Sequence, residues 1–159
     1  MTHDLRLFTA DDADWLVDRH GSLYAEHEGF DASFPALVRE IVTGFLAGHD
    51  ADRERGWIVW QGGARIGSIF VVTEAPGVAK LRLVLVEPAA RGSGLAQVML
   101  ETAMGFARAA GYTQMRLWTH ESHRAAGRMY ARNGFRLEAS EPRHSFGRDV
   151  VAQFWTRDL

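Results

Sequence analysis

Apolar positions recur along the chain at two spacings, every second residue and every third to fourth, and the changes between them mark out elements. Residues 5–8 (Leu-Arg-Leu-Phe) read as a short strand closed by Thr9, which can cap a helix over about 11–24 whose first turn is acidic. The polar bend Glu28-Gly29-Phe30-Asp31 leads into a second helix, with Phe34, Leu37, Val38, Ile41, Val42, Phe45 and Leu46 on one face. After a connector at 48–52 come three strands. Residues 56–60 run into Gln61-Gly62-Gly63-Ala64, a hairpin signal; 66–72 return; Pro76-Gly77 then turns the chain into 79–86. Alternation is weak in that third strand, as expected of one buried on both faces. A helix over 95–110 carries Leu95, Met99, Thr102, Phe106 and Ala110 on one side and stops at Gly111. A strand at 114–119, a helix at 124–133 ended by Gly134, and strands at 135–139 and 150–155 follow. The order β-α-α-β-β-β-α-β-α-β-β, free of repeats and linkers, predicts one α/β domain over 1–159: a mixed sheet with helices on both faces.

Composition changes this picture mainly by exclusion. An apolar share of 47% and a charged share of 24% over 159 residues are those of one globular domain with its own core. No apolar run approaches the ~18 residues that cross a bilayer. Met1-Thr2-His3-Asp4 lacks the basic, then apolar, profile of a leader, so a cytoplasmic protein without a membrane partner is expected. With no cysteine, disulfides, thiolate metal sites and a thiol nucleophile drop out. The net charge of −2 conceals a segregation: residues 1–31 carry eight acidic side chains against two arginines, and residues 78–136 nine basic against three acidic. A basic half suits a polyanionic ligand and an acidic half a cationic one, although singly most of these charges read as solvated helix faces. The basic residues are spread over several elements of a mildly acidic chain, which argues against nucleic acid.

The most specific chemistry lies at Val84-Leu85-Val86-Glu87-Pro88-Ala89-Ala90-Arg91-Gly92-Ser93-Gly94-Leu95-Ala96: a buried strand, a proline stop, a glycine turn and a helix start. Glycines let several N–H groups point one way, and the helix behind adds the positive end of its dipole, so the segment reads as an anion cradle. Other phosphate motifs fit less well. A dinucleotide fingerprint needs a third glycine where Gln97 stands, and a P-loop needs a lysine where Leu95 stands. Ser93 lies in no Gly-x-Ser-x-Gly elbow. His120-Glu121-Ser122-His123 departs from His-Glu-x-x-His, so no metal is expected. The pyrophosphate of coenzyme A remains the best ligand.

Arg91-Gly92-Ser93-Gly94-Leu95-Ala96 resembles the Arg/Gln-x-x-Gly-x-Gly/Ala signature of the GNAT superfamily of acyl-CoA N-acyltransferases, and Tyr130-Ala131-Arg132-Asn133-Gly134-Phe135 resembles its Tyr-x-x-x-Gly-Phe hallmark. The element order matches over essentially the whole chain. More narrowly, His20-Gly21-Ser22-Leu23-Tyr24, Arg55-Gly56-Trp57-Ile58, Leu117-Trp118-Thr119 and His144-Ser145-Phe146-Gly147 are similar to the acetyltransferase half of bacterial MarR–GNAT fusion proteins, here without the DNA-binding half. The resemblance implies a central, largely antiparallel sheet and acetyl-CoA as co-substrate. It implies main-chain hydrogen bonds from the strand ending at Val86 to the pantetheine arm, with a main-chain N–H near Leu85 or Val86 polarising the thioester carbonyl. It further implies that the N–H groups of Gly92, Ser93, Gly94, Leu95 and Ala96 hold the pyrophosphate, with Arg91 beside them; His123 stands where the family often has an asparagine near the adenosine side. By the same resemblance Tyr130 sits near the thioester sulfur and protonates or hydrogen-bonds the leaving thiolate.

An amine with a pKa of ~10.4 is almost wholly protonated at pH 7, so a base is needed. Histone-acetylating members carry a glutamate on the strand before the cradle, whereas residues 78–86 contain no carboxylate. The candidates are Glu26, Glu28, His27, His120, Glu121 or a water chain; Glu26 and Glu28 are preferred because the loop between the first two helices forms the acceptor wall in the family. Tyr24, Phe30, Trp118, His144 and Phe146 are candidates for the acceptor pocket. The expected activity is direct acetyl transfer to a primary amine of a small molecule. A protein or peptide N-acetyltransferase and a non-catalytic acyl-CoA sensor are the alternatives, and a homodimer is left open.

Overall fold

Seven strands form a single sheet in the order β1-β2-β3-β4-β5-β7-β6, with four helices on its two faces. The computed structural model describes residues 3–159; Met1 and Thr2, read above as part of a non-leader N-terminus, lie outside them. The strands are β1 (Asp4–Leu7), β2 (Arg55–Gln61), β3 (Ala64–Ala75), β4 (Val78–Val86), β5 (Gln114–His120), β6 (Arg136–Ser145) and β7 (Arg148–Asp158). The helices are α1 (Ala13–Glu28), α2 (Ser33–Gly48), α3 (Leu95–Ala109) and α4 (Arg124–Arg132). The mixed sheet with helices on both faces is thus as the periodicity predicts, and all neighbouring strands except β4 and β5 are antiparallel.

Local chemistry accounts for most boundaries. The Thr9 N–H donates to the Asp12 carboxylate at 2.8 Å, and a 3₁₀ turn at Ala10–Asp12 precedes α1. α1 runs four residues past the expected end, to Glu28, and is capped by Gly29, whose φ of 69° only glycine adopts freely. Gly62 and Gly63 both have positive φ, as a two-residue hairpin between twisted strands requires. The largest departure is the β6–β7 hairpin, longer at both strands than the short pair expected. β6 is an edge strand exposed nearly throughout, so it lacks the apolar alternation that marks a half-buried strand.

Two cores sandwich the sheet. Met99, Leu100, Ala103 and Ala107 of α3, with Met129 and Tyr130 of α4, pack on Val59, Ile69, Val71, Leu81, Met115 and Leu117. On the opposite face Leu16, Val17, Val38, Val42 and Phe45 cover Ile58 and Phe70. β4 and β5 pair only through Val78–Gln114, Ala79–Met115 and Lys80–Arg116. Beyond Lys80 the two strands diverge, and the wedge between them is the feature on which the site is built.

Candidate active site

The cradle is assembled by the turn between β4 and α3. Gly92 and Gly94 have φ of 74° and 82°, and a Cβ on either would meet nothing within 4 Å. Backbone conformation, not space, therefore demands glycine there. The Ser93 Oγ donates to the Ala90 carbonyl at 2.5 Å, and the Ala90 and Arg91 N–H groups donate to Glu87 and Pro88 carbonyls, which fixes the turn from within. Among the described residues, none of the N–H groups of 92–97 has a protein acceptor; the first helical bond across this end runs from Val98 to Gly94 at 3.3 Å. A row of unspent donors at a helix N-terminus fits a diphosphate. Arg19 of α1 grips Glu87 with two bonds of 2.5 and 2.7 Å, so the one carboxylate at the root of the turn is neutralised.

In the wedge, a bulge in β4 sets the main-chain donors. The register slips between Ser68 and Phe70, Leu83 adopts φ of 53°, and Ser68 Oγ donates to the Leu83 carbonyl at 2.7 Å. Because Glu87 donates to the Ile66 carbonyl at 2.9 Å, the alternation of an antiparallel ladder turns Leu85 toward β3 and Val86 toward the wedge. Of the two positions expected to offer a free N–H, Val86 has it and Leu85 does not.

The wedge opens into a cavity of about 200 Å³ between β4, β5, α1, α2, α4 and the tip of the β6–β7 hairpin. Its walls are aromatic: Tyr24 and Phe34 lie 4.6 Å apart by ring centroids, and Phe34 and Phe146 4.9 Å. Among the described residues, no Asp or Glu lines it. The acidic side chains of the first third are spent elsewhere: buried Asp12 pairs with Arg65 at 2.9 Å, exposed Asp14 with Arg39 at 2.8 Å, and Glu28 with His123. The segregated negative charge is therefore not the acceptor wall that it suggested.

Three histidines supply polar edges. His20 is 2% exposed; its Nδ1–H donates to the Leu16 carbonyl at 2.8 Å, leaving Nε2 a buried acceptor without a partner. Burial pushes its pKa down to about 4. His120 is also brought to about 4, by burial and then by His123 nearby, and its Nε2 is likewise unpartnered. His123 Nε2 lies 3.0 Å from Glu28 Oε1 and Nδ1 lies 3.1 Å from Thr119 Oγ1. A carboxylate only accepts, so in the neutral ring Nε2 carries the proton and Nδ1 accepts from the Thr119 hydroxyl. Burial lowers the His123 pKa while Glu28 pulls it back up. Tyr24 is pushed up to about 12, chiefly by burial and further by Glu28; Tyr130, 4% exposed, is raised by burial and by Tyr24. Both phenols stay protonated at neutral pH.

The structure distributes the expected residues unevenly. Tyr24, Trp118, Phe146, His120, His123 and Tyr130 all line the cavity. Phe30 is one layer behind, packed on Tyr24 and Phe146 at 5.6 and 4.9 Å. Glu28 reaches the wall only through His123; its other oxygen accepts from Ser122 Oγ at 2.9 Å, outside the cavity. Glu26, His27 and Glu121 are solvent-exposed and lie away from the cavity. His144 pairs with Asp149 at 2.9 Å on the open hairpin, outside the cavity. His123, expected near the adenosine side, belongs to the acceptor side. Residues not anticipated at the site are Arg82, Thr119 and the half-buried Phe34, Leu37 and Ile41 of α2. Helical spacing alone puts the last three in the core; the apolar face of α2 is wide enough to serve the sheet with Val38, Val42 and Phe45 and the cavity with the rest.

Sheet order, splayed parallel pair and donor row together define an acyl-CoA-dependent N-acyltransferase fold. The chain belongs to the acetyltransferase (GNAT) family, whose family model matches residues 10–135. The enzymes of this family take their acyl group from acetyl-CoA, and the open donors of 92–97 fit its pyrophosphate. A GNAT phosphinothricin acetyltransferase from Sinorhizobium meliloti, solved with acetyl-CoA, superposes with a TM-score of 0.81 at 21% identity, over 100% of this chain and 89% of that one. A ribosomal-protein-alanine N-acetyltransferase from Brucella melitensis gives 0.79 at 16% over 98% and 99%, and a GNAT acetyltransferase from Streptococcus pneumoniae 0.78 at 19% over 99% and 100%. No curated protein matches in sequence. Among the described residues, no helix is long and apolar enough to cross a membrane.

Proposed function

We propose that the protein transfers an acetyl group directly to the primary amine of a small molecule, with Tyr130, His123 and Glu28 as its working side chains. The observation that carries this reading is the conjunction of three parts: unspent donors at 92–97 just after β4, the wedge between β4 and β5, and a cavity walled by Tyr24, Phe34, Phe146 and Tyr130. A cavity of about 200 Å³ roofed by α1, α2 and the hairpin tip suits a small acceptor better than a peptide laid along an open groove. The Brucella neighbour is named for a protein substrate, yet its likeness is one of fold. Three of the four segments that resemble the MarR–GNAT acetyltransferase half contribute cavity residues (His20 and Tyr24, Trp118 and Thr119, Phe146), which supports that narrower kinship.

Acetyl-CoA, when bound, supplies the activated carbonyl. The Val86 N–H, turned into the wedge, is available to a carbonyl oxygen; a preorganised donor of this kind is worth ~3–4 kcal/mol. The proton that the acceptor amine must lose passes through the Thr119 hydroxyl, at the cavity wall, to Nδ1 of His123, which burial keeps neutral and Glu28 orients. Glu28 acts through His123 as a positioning residue, and exposed Glu26 has no part. Tyr130, held as a phenol, donates a hydrogen bond to the departing sulfur. Thiol release measured over a panel of amines, amino acids and peptides, with Tyr130→Phe as the variant, tests the scheme. We expect turnover with small amines and a loss of about a hundredfold in kcat for the variant. Tight acetyl-CoA binding with no acceptor turned over would replace catalysis by sensing.

A further inference from the structure

The unused charge nearest the cavity is positive. Arg82 of β4 lines the cavity, is half-buried, and among the described residues has no ion pair or hydrogen bond. Lys80 is two residues earlier on the same strand and so shares its face; Arg116 sits beside Lys80 in the parallel register, and two positions on is Trp118, at the cavity wall. Neither Lys80 nor Arg116 has an ion pair among the described residues, and the Arg116 Nε is buried with no partner. Glu74 and Glu54 are the carboxylates close enough for their charge to bear on Arg82. Glu54 is committed elsewhere, accepting from the Thr73 N–H at 3.1 Å and the Asp50 N–H at 3.0 Å, and Glu74 is exposed.

Three cations are thus gathered at the apex of the wedge, partly desolvated and without a contacting counter-charge. Like charges on neighbouring strands repel, and burial adds to the cost. A protein that keeps such a cluster at the edge of a cavity free of carboxylates has a site for an anion. A guanidinium presents a planar fork of donors that matches a carboxylate. The buried Nε2 acceptor of His20 on the cavity wall is suited to an N–H donor of a polar ligand, and the unpartnered Nε2 of His120 offers a second polar contact. From this arrangement we infer that the acceptor is an amino acid, its carboxylate held by Arg82 with Lys80 and Arg116 behind it and its apolar body packed against Phe34, Phe146 and Trp118. This deepens the small-amine reading above and rests on it for the transfer step; the anion site stands on its own geometry.

The test compares matched pairs, each an aromatic, aliphatic or acidic amino acid against the amine that lacks its α-carboxylate. Thiol release at saturating acetyl-CoA is the readout. At least one amino acid should exceed its decarboxylated partner tenfold or more in kcat/KM, chiefly through KM, and Arg82→Gln should lower that ratio at least tenfold. Preference for the decarboxylated amine in every pair, or a ratio unchanged by the variant, overturns the inference. Calorimetric titration with 3-phenylpropanoate, which has no amine to acetylate, reads the site without turnover. Binding weakened tenfold or more by Arg82→Gln, with no acceptor turned over, supports the anion site and refutes transfer to a small amine. Absence of both binding and turnover refutes both. Should Arg82→Gln fail to fold by circular dichroism, Arg116→Gln takes its place with the same outcomes.

Discussion

His20 allows the electrostatics of the cavity to be measured apart from catalysis. Its imidazole is buried and fixed by the Leu16 carbonyl, with no partner for a second proton at Nε2, so its pKa falls from 6.5 to about 4. The unfolded chain then binds more protons than the folded one between those two values, and stability must fall as the pH falls through that window. For this single group the loss is negligible at pH 7.5, about 2 kcal/mol at pH 5, and about 3 kcal/mol at pH 4, since each tenfold change in proton affinity is worth ~1.4 kcal/mol. His20→Phe keeps an aromatic ring against Tyr24 and Phe34 but cannot take the proton. Urea denaturation of both proteins at pH 7.5 and pH 5 isolates the effect, because every other titrating group is common to the pair. The wild type should lose about 2 kcal/mol relative to the variant on going to pH 5. A difference that stays constant to within about 0.5 kcal/mol would mean that the ring is solvated or finds an acceptor, and that the burial of an unpartnered Nε2 is mistaken.

Other substitutions address the remaining parts. Gly94→Ala forces a side chain into φ of 82° with no steric contact, so stability should drop by ~1–2 kcal/mol while the KM for acetyl-CoA rises several-fold. Gly105→Ala, within α3 and with open space at its Cβ, should instead stabilise by ~1 kcal/mol without changing that KM. Glu28→Gln removes the charge that raises the His123 pKa, so the acid limb of kcat at saturating substrates should move to lower pH as the maximal rate falls; an unmoved limb argues against His123 as base. The Tyr130→Phe and Arg82→Gln predictions stand with the proposals above.

Hairpin and turn positions were legible because their chemistry is local. A two-glycine link, a capping threonine or a pair of glycines before a helix constrains only its neighbours, and Gly62-Gly63, Thr9 and Gly92–Gly94 all behave accordingly. The final pair of strands was expected, but its length was not, for the converse reason: an exposed edge strand carries no buried face to write a period into the sequence. Spacing also misplaced His144, which shares a hairpin with Phe146 yet faces solvent while Phe146 closes the cavity.

By itself the sequence determined the element order, the sheet class and the glycine turn that leaves a row of N–H groups open, since each follows from short-range stereochemistry or from the period of burial. Only the tertiary structure decided which charges matter. Glu28 became the partner of a histidine far along the chain, Glu26 was left in solvent, and Arg82, unremarkable in a basic stretch, came to the cavity wall. A side chain's proton affinity and its available partners are set by burial and by residues on other elements, and those distances exist only once the strands have paired and parted.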